Sequence, residues 1–231
     1  MAYHTNITLL KNSRLFHGLD TPDLERIIRL SYSRKRDDGS FFFHEGDSAR
    51  RLYLLTEGQV KLGQVTPEGQ QVIFRYVNPG ESFGVLALLG ESQYSVTAQA
   101  VGDCQSLAWD EDALKEVQKR WPQVCRNALE YMTVHAQKFQ HRIRELSTER
   151  VERRIARAVL RLAQQTGRKT ETGVLIDFPI TRQDLAEMTG TTRYTVSRTL
   201  QQWEKKGLIL AKREQIIIRF PHGLVTIAED L

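Results

Sequence analysis

"PITRQDLAEMTGTTRYTVSRTLQQWEKKGLI", residues 179–209, reads as two short helices around a glycine turn. Thr181 is placed to cap the first helix, with Asp184 at its third position and Ile180 and Leu185 able to staple across the cap. "MTGTT" supplies the turn. Thr192 then caps a second helix in which Val196, Leu200 and Trp203 recur at i, i+4 and i+7 and so face inward, and Gly207 closes it. The opposite face carries Tyr194, Ser197, Arg198 and Gln201, with Arg193 beside them at the N-terminal end. This is a helix-turn-helix presenting a polar, arginine-bearing face of the kind that enters a major groove. Arg198 is the candidate for a bidentate contact to guanine, and Arg193 for a base or a phosphate. Thr181, Arg182, Thr192 and Thr195 are candidate phosphate contacts that set register. Downstream, "LILAKREQIIIRF" predicts two strands around Lys212, Arg213 and Glu214, a wing.

Paired short helices are common in proteins that never touch DNA, so the rest of the chain has to agree. Residues 121–231 carry 19 Lys/Arg against 12 Asp/Glu, whereas residues 1–120 carry 14 against 16. A basic C-terminal half beside a near-neutral N-terminal half fits a polyanion-binding module attached to something else. Upstream of it, "RVERRIARAVLRLAQQTG" predicts an amphipathic helix with Ile155, Val159 and Leu162 inward and its arginines on the other face, ended by Gly167.

Before that helix, Cys125, Leu129, Met132, Ala136, Phe139, Ile143 and Leu146 repeat at alternating four- and three-residue spacing, the pattern of a coiled-coil seam. A homodimer is expected from it. Between Tyr32 and Trp109 short β-type runs alternate with turns at Gly39, Gly46, Gly58, Gly69, Gly80 and Gly84, which predicts an all-β roll of about eight strands. "LDTPDLERIIRLS" precedes it as a short helix capped by Thr21, and "DEDALKEVQKR" follows as a helix capped by Asp110.

With "FHEGDSARRLYLLTEGQVKL", "PGESFGVLALL" and "ITRQDLAEMTGTTRYTVSRTLQQWEKKGLI" in this order, the chain resembles the CRP/FNR family of bacterial transcription regulators over nearly all its length. The resemblance implies an α+β architecture: an N-terminal cyclic-nucleotide-binding-like β-roll with flanking helices (1–121), a long dimerisation helix (122–147), and a C-terminal winged helix-turn-helix (148–231). It further implies a homodimer on a palindromic double-stranded DNA operator, with RNA polymerase as the expected partner.

Two departures from the family pattern are visible. The recognition helix of the family carries Arg-Glu and a later Arg; here the series is Arg193, Tyr194 and Arg198, so the acidic member is a tyrosine and the half-site should differ. Cyclic-nucleotide-binding members place a glutamate for the ribose and an arginine for the cyclic phosphate within "PGESFGVLALLGESQYSVTAQA", residues 79–100. Val85 and Tyr94 stand at those positions, and Glu91 is the one charge between Glu81 and Asp103. On the long helix, Phe139 and Gln140 stand where the family has hydroxyl residues that meet the base. A buried phosphate without a cation is expensive, and Tyr94 returns only a neutral hydrogen bond. The expectation is a regulator that ignores cAMP, its tentative effector region (Gly84, Val85, Leu86, Tyr94, Ser95, Phe139 and Gln140) either packed shut or holding an unknown effector.

Other classes find little support. An enzyme on a β-roll would need a cluster of metal ligands, and His44 stands alone in its strand. Two cysteines, Cys104 and Cys125, are too few for a disulfide framework or an iron-sulfur site. Haem ligation by His4, His17, His44, His135 or His141 is the alternative sensor chemistry, and a protein-binding role for the helix-turn-helix is the alternative outside DNA binding. No cofactor or metal is expected. The N-terminus lacks a signal-peptide pattern and no apolar run is long enough for a membrane span, so the expected location is cytoplasmic.

Overall fold

The computed structural model describes residues 2–90 and 92–229, with side chains described from Asn6 onward. Glu91 and the side chain of His4 lie outside the described residues. Two compact units make up the chain, residues 1–64 with 74–138 and residues 65–73 with 139–231.

Up to Trp109, helices α1 (Ala2–Asn12) and α2 (Thr21–Arg29) precede strands β1 (Tyr32–Arg36), β2 (Phe41–Phe43), β3 (Leu52–Val65), β4 (Gln71–Val77), β5 (Ser82–Phe83) and β6 (Thr97–Trp109). The strands form one sheet in the order β1-β6-β3-β4, with β2 also on β6 and β5 on β3. Six strands stand where about eight are expected, and Gly58, expected as a turn, accounts for one of the two. It lies inside the 14-residue β3 with φ of 78°, and the pairing with β6 slips on either side of Glu57. The left-handed glycine thus bends one long strand at a bulge where the sequence suggests two strands.

The cap of α2 also differs from expectation. Asp20 occupies it, accepting the Asp23 amide at 2.8 Å, and Thr21 becomes the first helical residue. A carboxylate beside the helix's N-terminal dipole outcompetes a hydroxyl one residue later. Helix α3 (Glu111–Arg120) is capped as expected by Asp110, which accepts from the Ala113 amide at 3.1 Å. One core, with Leu24, Ile27, Leu54, Trp109, Leu114 and Val124, joins the helices to the outside of the sheet. A second core fills the roll with Phe42, Phe43, Tyr53, Phe83 and Tyr94.

The 27-residue helix α4 (Pro122–Thr148) runs from the first unit into the second. There follow α5 (Val151–Thr166), β7 (Gly167–Thr170), β8 (Gly173–Ile176), α6 (Arg182–Thr189), α7 (Arg193–Lys205), β9 (Ile209–Lys212), β10 (Gln215–Ile218) and α8 (Pro221–Glu229). The wing strands β9 and β10 pair around Arg213 and Glu214 as expected, but they extend a four-stranded sheet, β7-β8-β10-β9, whose first hairpin the sequence reading missed together with α1 and α8.

The arginines of α5 are not a solvated face. Glu145, buried near the end of α4, is met by Arg142 and Arg161 at 3.0 Å and by Arg157 at 3.5 Å. Burial works to raise the Glu145 carboxyl, but Arg161 and Arg142 overcome it and hold the group below its ordinary range. Glu149 takes Arg153 at 2.9 Å and Arg157 at 3.6 Å. Four arginines, Arg142, Arg153, Arg157 and Arg161, are thus held in ion pairs with Glu145 and Glu149.

Candidate nucleic-acid interface and effector region

The turn between α6 and α7 is built from local hydrogen bonds. Thr181 accepts the Asp184 amide at 3.0 Å while Asp184 accepts the Thr181 amide at 2.9 Å, a reciprocal capping box. The Thr181 hydroxyl also donates to Asp184 at 2.6 Å, which leaves no proton on it for a phosphate. Gly190, left-handed at φ 58°, ends α6, and Thr192 caps α7 by accepting from the Thr195 amide at 3.2 Å. Val196, Leu200 and Trp203 are buried as expected, each worth about 1.5–3 kcal/mol of burial. Trp203 also donates its indole N–H to Glu152 of α5 at 2.9 Å.

With that face fixed inward, α7 presents Arg193, Tyr194, Arg198 and Gln201 outward, with Ser197 and Thr195 half-buried between them. Arg182 is half-buried at the start of α6, and Arg213 stands almost fully exposed at the tip of the wing. Arg154 on α5, which no sequence signal marks, braces the turn. Its guanidinium donates to the carbonyls of Thr189 at 3.0 Å and Gly190 at 3.2 Å, and also to those of Leu146 at 3.3 Å and Glu149 at 3.2 Å. One side chain thereby satisfies orphan carbonyls at the ends of α4 and α6 together.

Residues 153–227 match the Crp-like helix-turn-helix domain and residues 33–120 the cyclic nucleotide-binding domain. The chain is 32% identical over 202 residues to a cyclic AMP receptor protein of Thermus thermophilus, covering 87% of this chain and 89% of that one. The chain belongs to the CRP/FNR family. A crystal structure of a CRP/FNR-family transcriptional regulator from Thermus thermophilus superposes with a TM-score of 0.71 at 26% identity, covering 86% of this chain and 98% of that chain. FixK2 from Bradyrhizobium japonicum shares the fold, with a TM-score of 0.76 at 20% identity over 85% of this chain and 96% of that one. This CRP/FNR chain is accordingly a DNA-binding transcription regulator.

The segment that the family resemblance marks for an effector begins between β5 and β6. Gly84, left-handed at φ 72°, starts a single helical turn, Val85–Leu89, which Gly90 ends. Val85 and Leu88 are buried in the core shared with the helices, and Leu86 is half-buried. Tyr94 is 5% exposed, its ring stacked on Phe43 with centroids 3.7 Å apart. Its hydroxyl donates to the Arg51 carbonyl at 2.7 Å and accepts from the Arg51 amide at 3.0 Å. Burial pushes that phenol well above its ordinary range. A Cβ on Gly84 would stand 2.7 Å from the same Arg51 carbonyl and 3.4 Å from the Tyr94 ring, so this turn closes directly onto the tyrosine and needs glycine. Ser95 is exposed, and its carbonyl accepts from Gln64 at 2.8 Å. Phe139 and Gln140 are exposed residues of the second unit.

Along α4 the seam positions divide. Cys125 and Met132 pack partly against the helical core of the first unit, whereas Leu129, Ala136, Phe139, Ile143 and Leu146 are exposed, Ile143 by 64% and Leu129 by 58%. Tyr131, absent from the sequence reading, receives the Arg75 guanidinium at 2.6 Å and donates to the Ser82 carbonyl at 3.0 Å, while His135 donates Nδ1–H to the Tyr131 carbonyl at 2.8 Å. Burial, aided by the Arg75 charge, lowers His135 to about 4. Among the described residues no three His, Cys, Asp or Glu side chains gather as a metal site, and no helix is long and apolar enough to cross a membrane.

Proposed function

We propose that this regulator acts as a homodimer whose two α7 helices enter successive major grooves of a palindromic operator, about 34 Å apart, and that it does so without cAMP or cGMP. The observation that carries the second statement is Tyr94: it is stacked on Phe43 and doubly hydrogen-bonded to the Arg51 backbone, at the position where the family resemblance puts an arginine for the cyclic phosphate. A phosphate placed there would have to displace a satisfied phenol, and the residue at that position brings no charge of its own in exchange. Val85, at the position of the ribose-binding carboxylate, is buried in an apolar core. The Thermus relative is named for cyclic AMP, and both of these residues argue that the response has not carried over.

The dimer reading rests on the exposed apolar stripe of α4, since Leu129, Ile143 and Leu146 on one helix are covered most economically by the same stripe of a second copy. In this reading residues 1–121 are the roll domain, 122–147 the dimerisation helix and 148–231 the DNA-binding domain. Arg193, Arg198 and Gln201 contact bases and Arg182, Thr192 and Thr195 lie along the phosphates. Thr181 sets the start of α6 through its capping box, and RNA polymerase is the cytoplasmic partner. Calorimetric titration of purified dimer with cAMP, cGMP and a metabolite panel tests the effector statement. No saturable heat with either cyclic nucleotide is expected, and saturable cAMP binding below about 100 μM (roughly −5.5 kcal/mol) would overturn it.

A further inference from the structure

Tyr194 is the second residue of α7 and is 75% exposed, more than any other large apolar or aromatic side chain among the described residues given as exposed. Nothing inside the molecule accounts for it: its ring packs against no partner, and its hydroxyl has no hydrogen bond to the rest of the described chain. The next residue of its helix face, Arg198, is one turn on and also exposed, and Arg193 adjoins Tyr194. From Arg193 to Trp203 the helix carries no acid at all, and the first one, Glu204, accepts from the Ala211 amide at 2.8 Å. The reading face therefore offers two guanidinium donors, two-way groups on Ser197, Gln201 and Gln202, and one apolar plane.

Major-groove edges differ in what they offer such a face. Guanine presents two acceptors to an arginine and adenine a donor and acceptor to a glutamine; cytosine presents an amino group best met by a carboxylate, and thymine a C5-methyl group best met by an apolar surface. No carboxylate is available here, and the largest exposed apolar surface at the groove-entering end of α7 is the Tyr194 ring, beside the small methyl groups of Thr192 and Thr195. We propose that Tyr194 is a specificity-determining residue that selects thymine through its C5-methyl group, beside a guanine read by Arg198. The assignment rests on the reading of α7 as the recognition helix and names the base class read at one of its positions. Contact comes from the ring face, so the hydroxyl is dispensable.

Selection of binding sites from random double-stranded DNA by the full-length protein and its Tyr194→Phe, Tyr194→Ala and Tyr194→Glu variants tests this. The unaltered protein and Tyr194→Phe should recover one half-site with thymine adjoining a guanine. Tyr194→Ala should lose preference at that position alone, and Tyr194→Glu should move it to cytosine. Replacing that thymine by uracil removes only the methyl group and should weaken the unaltered protein and Tyr194→Phe by about four-fold, with little change for Tyr194→Ala. Putting 5-methylcytosine in place of cytosine there should restore part of the loss. An unchanged half-site in Tyr194→Ala, or equal affinity for thymine and uracil, would overturn the assignment. Uniform weakening of Tyr194→Phe on all sequences would also overturn it, marking a hydroxyl-to-phosphate contact. If the unaltered protein selects no sequence at all, the recognition-helix reading fails as well, whereas a well-defined half-site that is indifferent to every Tyr194 variant leaves that reading standing and removes this one.

Discussion

Tyr94 in the roll and Tyr194 on α7 carry the same phenol into opposite surroundings. The first is 5% exposed and the second 75%. At Tyr94 the ring lies on Phe43, the hydroxyl closes on both polar groups of the Arg51 backbone, and Gly84 leaves no room behind it. At Tyr194 a rigid cap at Thr192 and a fully buried opposite face hold an aromatic plane out in water. At Tyr94 the hydroxyl is satisfied inside the roll. At Tyr194 the ring stands in solvent, so the same side chain is engaged in one region and unengaged in the other.

That contrast can be broken by joining or separating the copies that display α7. Phe139→Asp, which would place a carboxylate in both halves of the α4 stripe, should yield monomers in sedimentation and abolish specific operator binding; Ile143→Asp should do the same, and a persistent dimer in both would contradict the seam. At the filled site, Tyr94→Ala removes a packed ring and orphans the Arg51 amide, so chemical denaturation should report a loss of about 3–5 kcal/mol. Tyr94→Phe keeps the ring, and only about 1 kcal/mol should be lost. A far smaller effect of the alanine variant would mean the roll is open there. At the exposed site, Arg198→Ala should weaken the specific operator by about 1–3 kcal/mol and relax base choice at one position, with folding stability unchanged. Equal weakening on every sequence would make Arg198 a phosphate contact.

A pH dependence follows for His135. Its folded value of about 4 lies below the ordinary 6.5, so between those values the unfolded chain binds a proton that the folded chain refuses. Stability should accordingly fall as pH drops from 6.5 towards 4, and His135→Gln should make that fall shallower. A slope identical in the two proteins would show that His135 titrates normally.

What is legible in the sequence follows the range of the interactions involved. The caps at Asp110, Thr181 and Thr192 and the inward set Val196, Leu200 and Trp203 depend on residues a turn or two apart, and the sequence shows them. Gly58 misleads because the same residue serves a turn and a bulge, and only the partner strand β6 decides between them. The α5 arginines look like a solvated face because their acids lie outside α5, Glu145 on α4 and Glu149 in the link after it, and Arg154 acts on carbonyls, which sequence never distinguishes. For the effector region, the missing anchors at Val85 and Tyr94 are visible by resemblance. That Tyr94 replaces the lost ligand contact with bonds to Arg51, 43 residues away, is not.

The central claim is that α7 reads its operator with nothing bound in the roll, and fluorescence anisotropy of a labelled operator, selected with nucleotide-free protein, measures it directly. The same dissociation constant with and without saturating cAMP or cGMP is the expected result. Operator binding that appears or tightens only when a cyclic nucleotide is added would contradict it.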